Sequence, residues 1–226
     1  MSKKPHPNDS SQIYLITPPQ IDNLTAFSEL LEQVLAAAPV GCLQLRLKNT
    51  AHEQIVETGR ALRPITQAYN TALIINDDPH IAAEIGADGV HLGQSDLREI
   101  MNIKSAQELL KPGSIIGVTC HNSKDLAFKA GSDGAHYIAF GSFFESTTKP
   151  DASPADLELL TWWHETMEIP SVAIGGITLD NAQTVIAAGA DFIALSAGVW
   201  NYKHGAVQAV KLLSALCAQH TRPQPL

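Results

Sequence analysis

From Gln44 the chain runs Gln-Leu-Arg-Leu-Lys. A strand sends successive side chains to opposite faces, so Gln44, Arg46 and Lys48 share one side while Leu45 and Leu47 share the other. Two cations on an enclosed face are unfavourable unless something anionic meets them. On a sheet edge they would be solvated; inside a closed sheet they make an anion site. Two further β-rich runs end in Asn76-Asp77-Asp78 and Gly93-Gln94-Ser95-Asp96. On neighbouring strands, Asp77 and Asp96 would repel unless they shared a proton or a cation. Hard oxygen ligands beside an anion site suit Mg²⁺, which takes one or two carboxylates together with phosphate oxygens. The other reading is that these residues cap the following helices, a role that Asp78-Pro79 fits well.

Further along come Thr119-Cys120-His121-Asn122 and then Gly141-Ser142-Phe143-Phe144-Glu145-Ser146-Thr147-Thr148-Lys149-Pro150. His121 either bonds a substrate and shuttles a proton, or is a structural rim histidine. The hydroxyls of Ser146, Thr147 and Thr148 with the Lys149 ammonium offer several phosphate donors in one loop. Near the end, Ile174-Gly175-Gly176-Ile177 and Leu195-Ser196-Ala197-Gly198 each follow a short apolar run. Glycine lets backbone N–H groups approach a phosphate, and a helix N-terminus adds a favourable dipole.

Elements able to gather these residues follow from the pattern of apolar runs. Strands are expected at Ile13–Ile16, Cys42–Arg46, Ala72–Ile75, Gly89–Leu92, Ile115–Val118, Tyr137–Phe140, Val172–Ile174 and Phe192–Leu195. Helical stretches such as Thr25–Ala37, Ala51–Tyr69, Ser123–Ala130, Leu179–Ala188 and Ala206–Ala218 lie between them. Eight alternating units predict a parallel sheet, and the gathering of polar and glycine residues after nearly every strand favours an α/β (β/α)₈ TIM barrel over an open doubly wound sheet. In that fold the loops after strands seven and eight commonly grip phosphate. An internal echo, Gly86-Ala87-Asp88-Gly89, Gly131-Ser132-Asp133-Gly134 and Gly189-Ala190-Asp191, falls where helices stop and strands begin. It reads as structural.

The chain has 226 residues, 45% of them hydrophobic and 17% charged, as one ordinary globular domain requires. Residues 1–11 are expected to be a disordered tail, 12–220 one catalytic barrel and 221–226 a second tail. A net charge of −8 without a Lys/Arg cluster argues against nucleic acid as partner. No run is long enough for a bilayer and the N-terminus lacks the apolar core of a signal peptide, so no membrane is expected. Cys42, Cys120 and Cys217 show neither disulfide nor zinc spacing, which points to a reducing cytoplasm. Nothing marks Cys120 as activated. Small phosphorylated molecules are the expected partners, and the oligomeric state is open.

Seven motifs in order resemble thiamine-phosphate synthase over roughly Ile13 to Gly198. They are Gln44-Leu45-Arg46-Leu47-Lys48, Asn76-Asp77, Gly89-Val90-His91-Leu92-Gly93-Gln94-Ser95-Asp96, Gly117-Val118-Thr119-Cys120-His121, Ser146-Thr147-Thr148-Lys149, Ala173-Ile174-Gly175-Gly176-Ile177 and Leu195-Ser196-Ala197. The resemblance implies a Mg²⁺-dependent transferase joining an aminopyrimidine methyl diphosphate to a thiazole phosphate. It implies that Gln44, Leu45, Arg46, Leu47, Lys48, Asn76, Thr119 and Lys149 hold the pyrimidine diphosphate, with Arg46, Lys48 and Lys149 catalytic. Asp77 and Asp96 would carry the metal. Ser146, Thr147, Thr148, Gly175, Gly176, Leu195 and Ser196 would bind the thiazole phosphate, and His121 is a further candidate. The chain departs from the family pattern in four places. Leu47 stands at an often acidic position, Thr119 replaces serine, Ser146 replaces threonine, and Glu145 replaces a common proline. Glu145 either faces solvent or loosens the diphosphate grip. A thiazole tautomerase of the same barrel, and a binding barrel without turnover, are the rival readings.

Overall fold

A computed structural model of the chain describes residues 10–93, 103–145 and 155–219. Eight strands pair in chain order, all parallel: β1 (Gln12–Ile16), β2 (Cys42–Leu45), β3 (Ala72–Asn76), β4 (Gly89–Leu92), β5 (Ile115–His121), β6 (Tyr137–Phe140), β7 (Ser171–Ile174) and β8 (Phe192–Leu195). The register Gln12↔Phe192 through Leu15↔Leu195 closes β1 on β8. The fold is therefore the (β/α)₈ barrel, and the open sheet is excluded. Helices Leu24–Ala37, His52–Ala68, Lys124–Asp133, Ala182–Ala187 and Ala206–Gln219 fall within the expected helical stretches or close to them. The main difference among the strands is β5, which extends to His121 through a bulge between Thr119 and His121.

Alternation along the strands builds two cores. Tyr14, Ile16, Cys42, Ile74, Tyr137, Ala139, Val172 and Ala194 fill the barrel interior. Their neighbours in sequence, among them Leu15, Leu43, Leu45, Leu73, Ile75, Ile138, Ile193 and Leu195, belong to the larger layer under the helices. Each buried aliphatic side chain contributes roughly 1.5–3 kcal/mol. A slip of one residue on any strand would exchange the two faces, so this layer fixes the register of the mouth.

Local chemistry sets the helix ends. Asp78 accepts from His80 N and Ile81 N ahead of Pro79, and the helix Pro79–Ile85 stops at Gly86, which is left-handed with φ 65°. Ser123 caps the helix Lys124–Asp133 by accepting from Leu126 N, and Gly134 ends it with φ 102°.

The echo is structural, as expected, and two of its members also make paired hydrogen bonds at the lower end of the barrel. Asp88 Oδ2 accepts from Leu73 N at 2.7 Å while Asp88 N donates to Leu73 O at 2.9 Å. Asp191 Oδ2 accepts from Ser171 N at 2.7 Å while Asp191 N donates to Ser171 O at 3.1 Å. On β6 the same hydrogen bonds are not made by Gly131-Ser132-Asp133-Gly134, whose Gly134 ends its helix as expected. Gly131 lies inside a helix, and Asp133 pairs with Lys129. The equivalent stretch is Gly134-Ala135-His136, where His136 Nδ1 accepts from Ile116 N and His136 N donates to Ile116 O. An imidazole nitrogen accepts as a carboxylate oxygen does, so the geometry survives a change of residue type. The expected N-terminal tail also ends sooner than residue 11. Ser11 is buried, and its hydroxyl donates to Ala190 O at 2.6 Å, sealing the same end.

Candidate active site

At the C-terminal ends of the strands, the loop after β2 is held from its neighbour. Thr17, 1% exposed, follows β1; its Oγ1 accepts from Arg46 N at 2.9 Å and donates to Arg46 O at 3.2 Å. Lys48 N donates to Pro19 O at 2.9 Å, and Thr50 Oγ1 donates to Lys48 O. On the other side of β1, Ser196 Oγ donates to Thr17 O at 3.1 Å. One buried threonine thus ties the cationic segment after β2 to the serine after β8. Gln44 is 3% exposed on the interior-facing register of Cys42, and Arg46 and Lys48 follow in the segment past the strand end. Among the described residues, no carboxylate lies within ion-pair distance of Arg46 or Lys48; the described pairs are His52–Glu84, Arg60–Glu84 and Lys129–Asp133.

The segment after β3 divides its labour. Asp78 is the helix cap, whereas Asp77 is turned the other way by a left-handed backbone with φ 63°. Asp77 N donates to His91 O at 2.7 Å, Oδ1 accepts from Gly93 N at 3.1 Å, and Oδ2 accepts from Asn76 Nδ2. The carboxylate is exposed and fixed across the ends of β3 and β4. Asp96 lies outside the described residues, as do Ser146, Thr147, Thr148 and Lys149. Among the described residues, no group of three or more His, Cys, Asp or Glu gathers to hold a metal. The donor chemistry at Asp77 nevertheless fits magnesium, an ion that binds hard oxygens and draws on one or two protein carboxylates.

Thr119 and His121 follow from the bulge in β5. Thr119 is half-buried on the inner face, and its Oγ1 lies 2.7 Å from His91 Nε2. His121 is exposed at φ 51°, and its carbonyl accepts from Gly141 N. Cys120, between them, points outward into the layer under the helices; burial pushes its thiol up to about 12. It is not a nucleophile.

Gly175 and Gly176 are explained by the loop after β6. A Cβ on Gly175 would fall 2.0 Å from Ser142 Oγ, and one on Gly176 would fall 2.3 Å from Glu145 O. Phe143 N and Phe144 N donate to Ile174 O and Gly175 O, so the loop rests directly on these glycines. The pair is required for this contact between loops as well as for any ligand. Glu145 itself is exposed.

Three of the expected binding residues turn their side chains away from the mouth. Leu45 and Leu195 are each 1% exposed in the outer core, and Leu47 packs against the same layer. Strand alternation turns these side chains from the mouth, so only their backbone faces that side. Sequence reading also missed four residues. Thr17 carries the signal of a threonine ending an apolar run before Pro18-Pro19. Tyr14, His91 and Tyr137 carry the signal of polar side chains at interior-facing strand positions, and they meet: Tyr14 Oη is 2.8 Å from Tyr137 Oη, which is 2.8 Å from His91 Nδ1.

Comparison with known proteins places this arrangement. A family model described as thiamine monophosphate synthase matches residues 13–199. The chain belongs to that family. It is 48% identical over 199 residues to a thiamine-phosphate synthase of Rhodospirillum centenum, covering 88% of this chain and 94% of that one. It is 46% identical over 220 residues to one from Hyphomonas neptunium, covering 96% and 98%. The solved thiamine phosphate pyrophosphorylase of Pyrococcus furiosus superposes with a TM-score of 0.79 at 32% identity, covering 92% of this chain and 96% of that one. The family match spans every strand from β1 to β8, and with them each segment of the mouth described above.

Proposed function

We infer that the protein is a thiamine-phosphate synthase, a transferase that condenses 4-amino-2-methyl-5-(diphosphooxymethyl)pyrimidine with 4-methyl-5-(2-phosphooxyethyl)thiazole to give thiamine phosphate and diphosphate. The observation that carries this reading is the pair of cations after β2, Arg46 and Lys48, which have no described counter-charge and follow the strand paired with β3, at whose end stand Asn76-Asp77.

The carbon–oxygen bond between the methylene carbon and the diphosphate breaks, and its electron pair leaves with the oxygen. The electron-rich aminopyrimidine bears the resulting cation, and the thiazole nitrogen then forms the new carbon–nitrogen bond. Such a step needs positioning and charge stabilisation more than proton transfer. Arg46 and Lys48 receive the negative charge growing on the leaving diphosphate, with Lys149 assigned the same task by family resemblance. Gln44, Asn76 and Thr119 orient the pyrimidine diphosphate. Gly176 and Ser196, with Ser146, Thr147 and Thr148, take the thiazole phosphate. Asp77 and Asp96 are the residues assigned to magnesium, which when bound neutralises charge on the diphosphate. We assign the reaction to the cytoplasm, on the strength of three free, buried cysteines and of no described helix long and apolar enough to cross a membrane.

The test is to incubate the protein with both substrates and Mg²⁺ and follow diphosphate release together with thiamine phosphate. A tautomerase would release no diphosphate, and a binding barrel would retain both substrates without product.

A further inference from the structure

We propose that Tyr14, Tyr137 and His91 are positioning residues that hold the Thr119 hydroxyl as a hydrogen-bond donor to the anionic substrate. The proposal rests on the reading above that Thr119 faces the pyrimidine diphosphate.

Four side chains from β1, β6, β4 and β5 form one file through the barrel interior. Tyr14 Oη lies 2.8 Å from Tyr137 Oη, Tyr137 Oη 2.8 Å from His91 Nδ1, and His91 Nε2 2.7 Å from Thr119 Oγ1. Tyr14, Tyr137 and His91 are 3%, 7% and 5% exposed, so the file is sealed from water until it reaches Thr119 at the mouth. The sheet is shaped to admit it. His91, Gly117 and Tyr137 stand level across β4, β5 and β6, and a Cβ on Gly117 would fall 1.9 Å from Tyr137 Cζ. The missing side chain lets the tyrosine ring lie across β5 and reach the histidine.

The direction of the file follows from the acidities of its members. A phenol O–H is the better donor and an unprotonated imidazole nitrogen the better acceptor, so Tyr137 donates to His91 Nδ1. A neutral imidazole carries one proton, which must then sit on Nε2 and be donated to Thr119 Oγ1. Tyr137, having committed its proton, accepts from Tyr14. Burial raises both phenols well above their ordinary value, so neither loses its proton near neutrality. Every donor then points the same way, and such aligned bonds strengthen one another. Because a protonated Nε2 offers no lone pair, the Thr119 proton cannot turn toward His91 and is left to point out of the barrel, as an anion requires. The reverse polarity would leave Thr119 offering a lone pair to a diphosphate.

Wild type, Thr119→Val, Tyr137→Phe and the double variant are compared for diphosphate release with both substrates and Mg²⁺. We expect Tyr137→Phe to lower kcat/KM roughly three- to tenfold, the loss of one hydrogen bond's worth of orientation. Thr119→Val should lower it by roughly tenfold or more, and the double variant should fall no further than Thr119→Val alone. A Tyr137→Phe loss of the same size in both backgrounds overturns the proposal, because the tyrosine would then act without Thr119. A fully active Thr119→Val also overturns it, but by a different signature, since the premise that Thr119 faces substrate would have failed. A second measurement needs no catalytic variant. In protein labelled with ¹⁵N in the imidazoles, the His91 signal, identified by its absence from His91→Gln, should report a proton on Nε2 and none on Nδ1. A proton on Nδ1 reverses the file and ends the proposal.

Discussion

The two ends of the barrel use the same backbone differently. At the lower end, each exchange of hydrogen bonds is reciprocal: Asp88 with Leu73, His136 with Ile116 and Asp191 with Ser171 both donate and accept. At the upper end, cations stand without described counter-charges, and three non-glycine residues, Asn49, Asp77 and His121, hold left-handed backbones at φ 51°, 63° and 51°, against Asn70 at φ 54° among the described residues of the lower end. A left-handed non-glycine residue costs on the order of 1 kcal/mol and persists only where the surroundings over-determine it. Among the described residues, the lower end pairs its own polar groups, while Arg46 and Lys48 at the upper end stand without a counter-charge. In barrels of this kind, stability and chemistry are usually divided between the two faces in this way.

Substitutions should separate the ends cleanly. Removing a cation from the mouth should have the largest effect. Arg46→Ala is expected to lower kcat/KM for diphosphate release by roughly 10²–10³ while leaving the melting temperature nearly unchanged. A large drop in melting temperature would mean that Arg46 holds the fold rather than the leaving group. Next comes Gly176→Ala, whose Cβ would meet Glu145 O at 2.3 Å on a left-handed backbone. Displacing that loop by about an ångström should lower activity by up to about 10²-fold, with a raised KM for the thiazole phosphate. Full activity with an unchanged KM would dissociate the loop from the site.

At the lower end, Asp191→Ala strips the partner from the Ser171 N–H and hydroxyl, both buried. We expect a loss of about 1–3 kcal/mol in stability. That corresponds to a melting point lower by roughly 2–12 °C, with kcat/KM at 25 °C unchanged. A kinetic defect in well-folded Asp191→Ala protein would erase the distinction between the ends. The smallest expected response is none. With its pKa raised to about 12, Cys120 holds about one thiolate in 10⁴ molecules at pH 8, so a disulfide reagent should leave it unmodified until denaturant is added. Labelling in the native protein would show that β5 opens at its bulge.

Much of the scaffold was legible because it is written in short-range terms. The strand limits follow largely from short apolar runs, and the inward face of Gln44 from alternation alone. Asp78-Pro79 announces a helix start, and the structure shows Asp78 as the cap, which separates it from Asp77. On β6 the echo and its hydrogen bonds part company for a local reason. Gly131-Ser132-Asp133-Gly134 copies the letters of the pattern, whereas Gly134-Ala135-His136 copies its hydrogen bonds. The outward faces of Leu45 and Leu195 follow from the same period of two.

By itself, then, the sequence determined the number and faces of the strands, the helix caps and which segments would gather at one rim. Only the tertiary structure decided which of them touch. Ser196 reaches Thr17 across 179 residues, and Tyr14 reaches Tyr137 across 123. Those contacts exist because β1 closes on β8 and because Gly117 leaves room for a ring, conditions of packing in space that no short window of residues contains. A strand's own sequence fixes the direction in which a side chain points, while ring closure fixes what it meets.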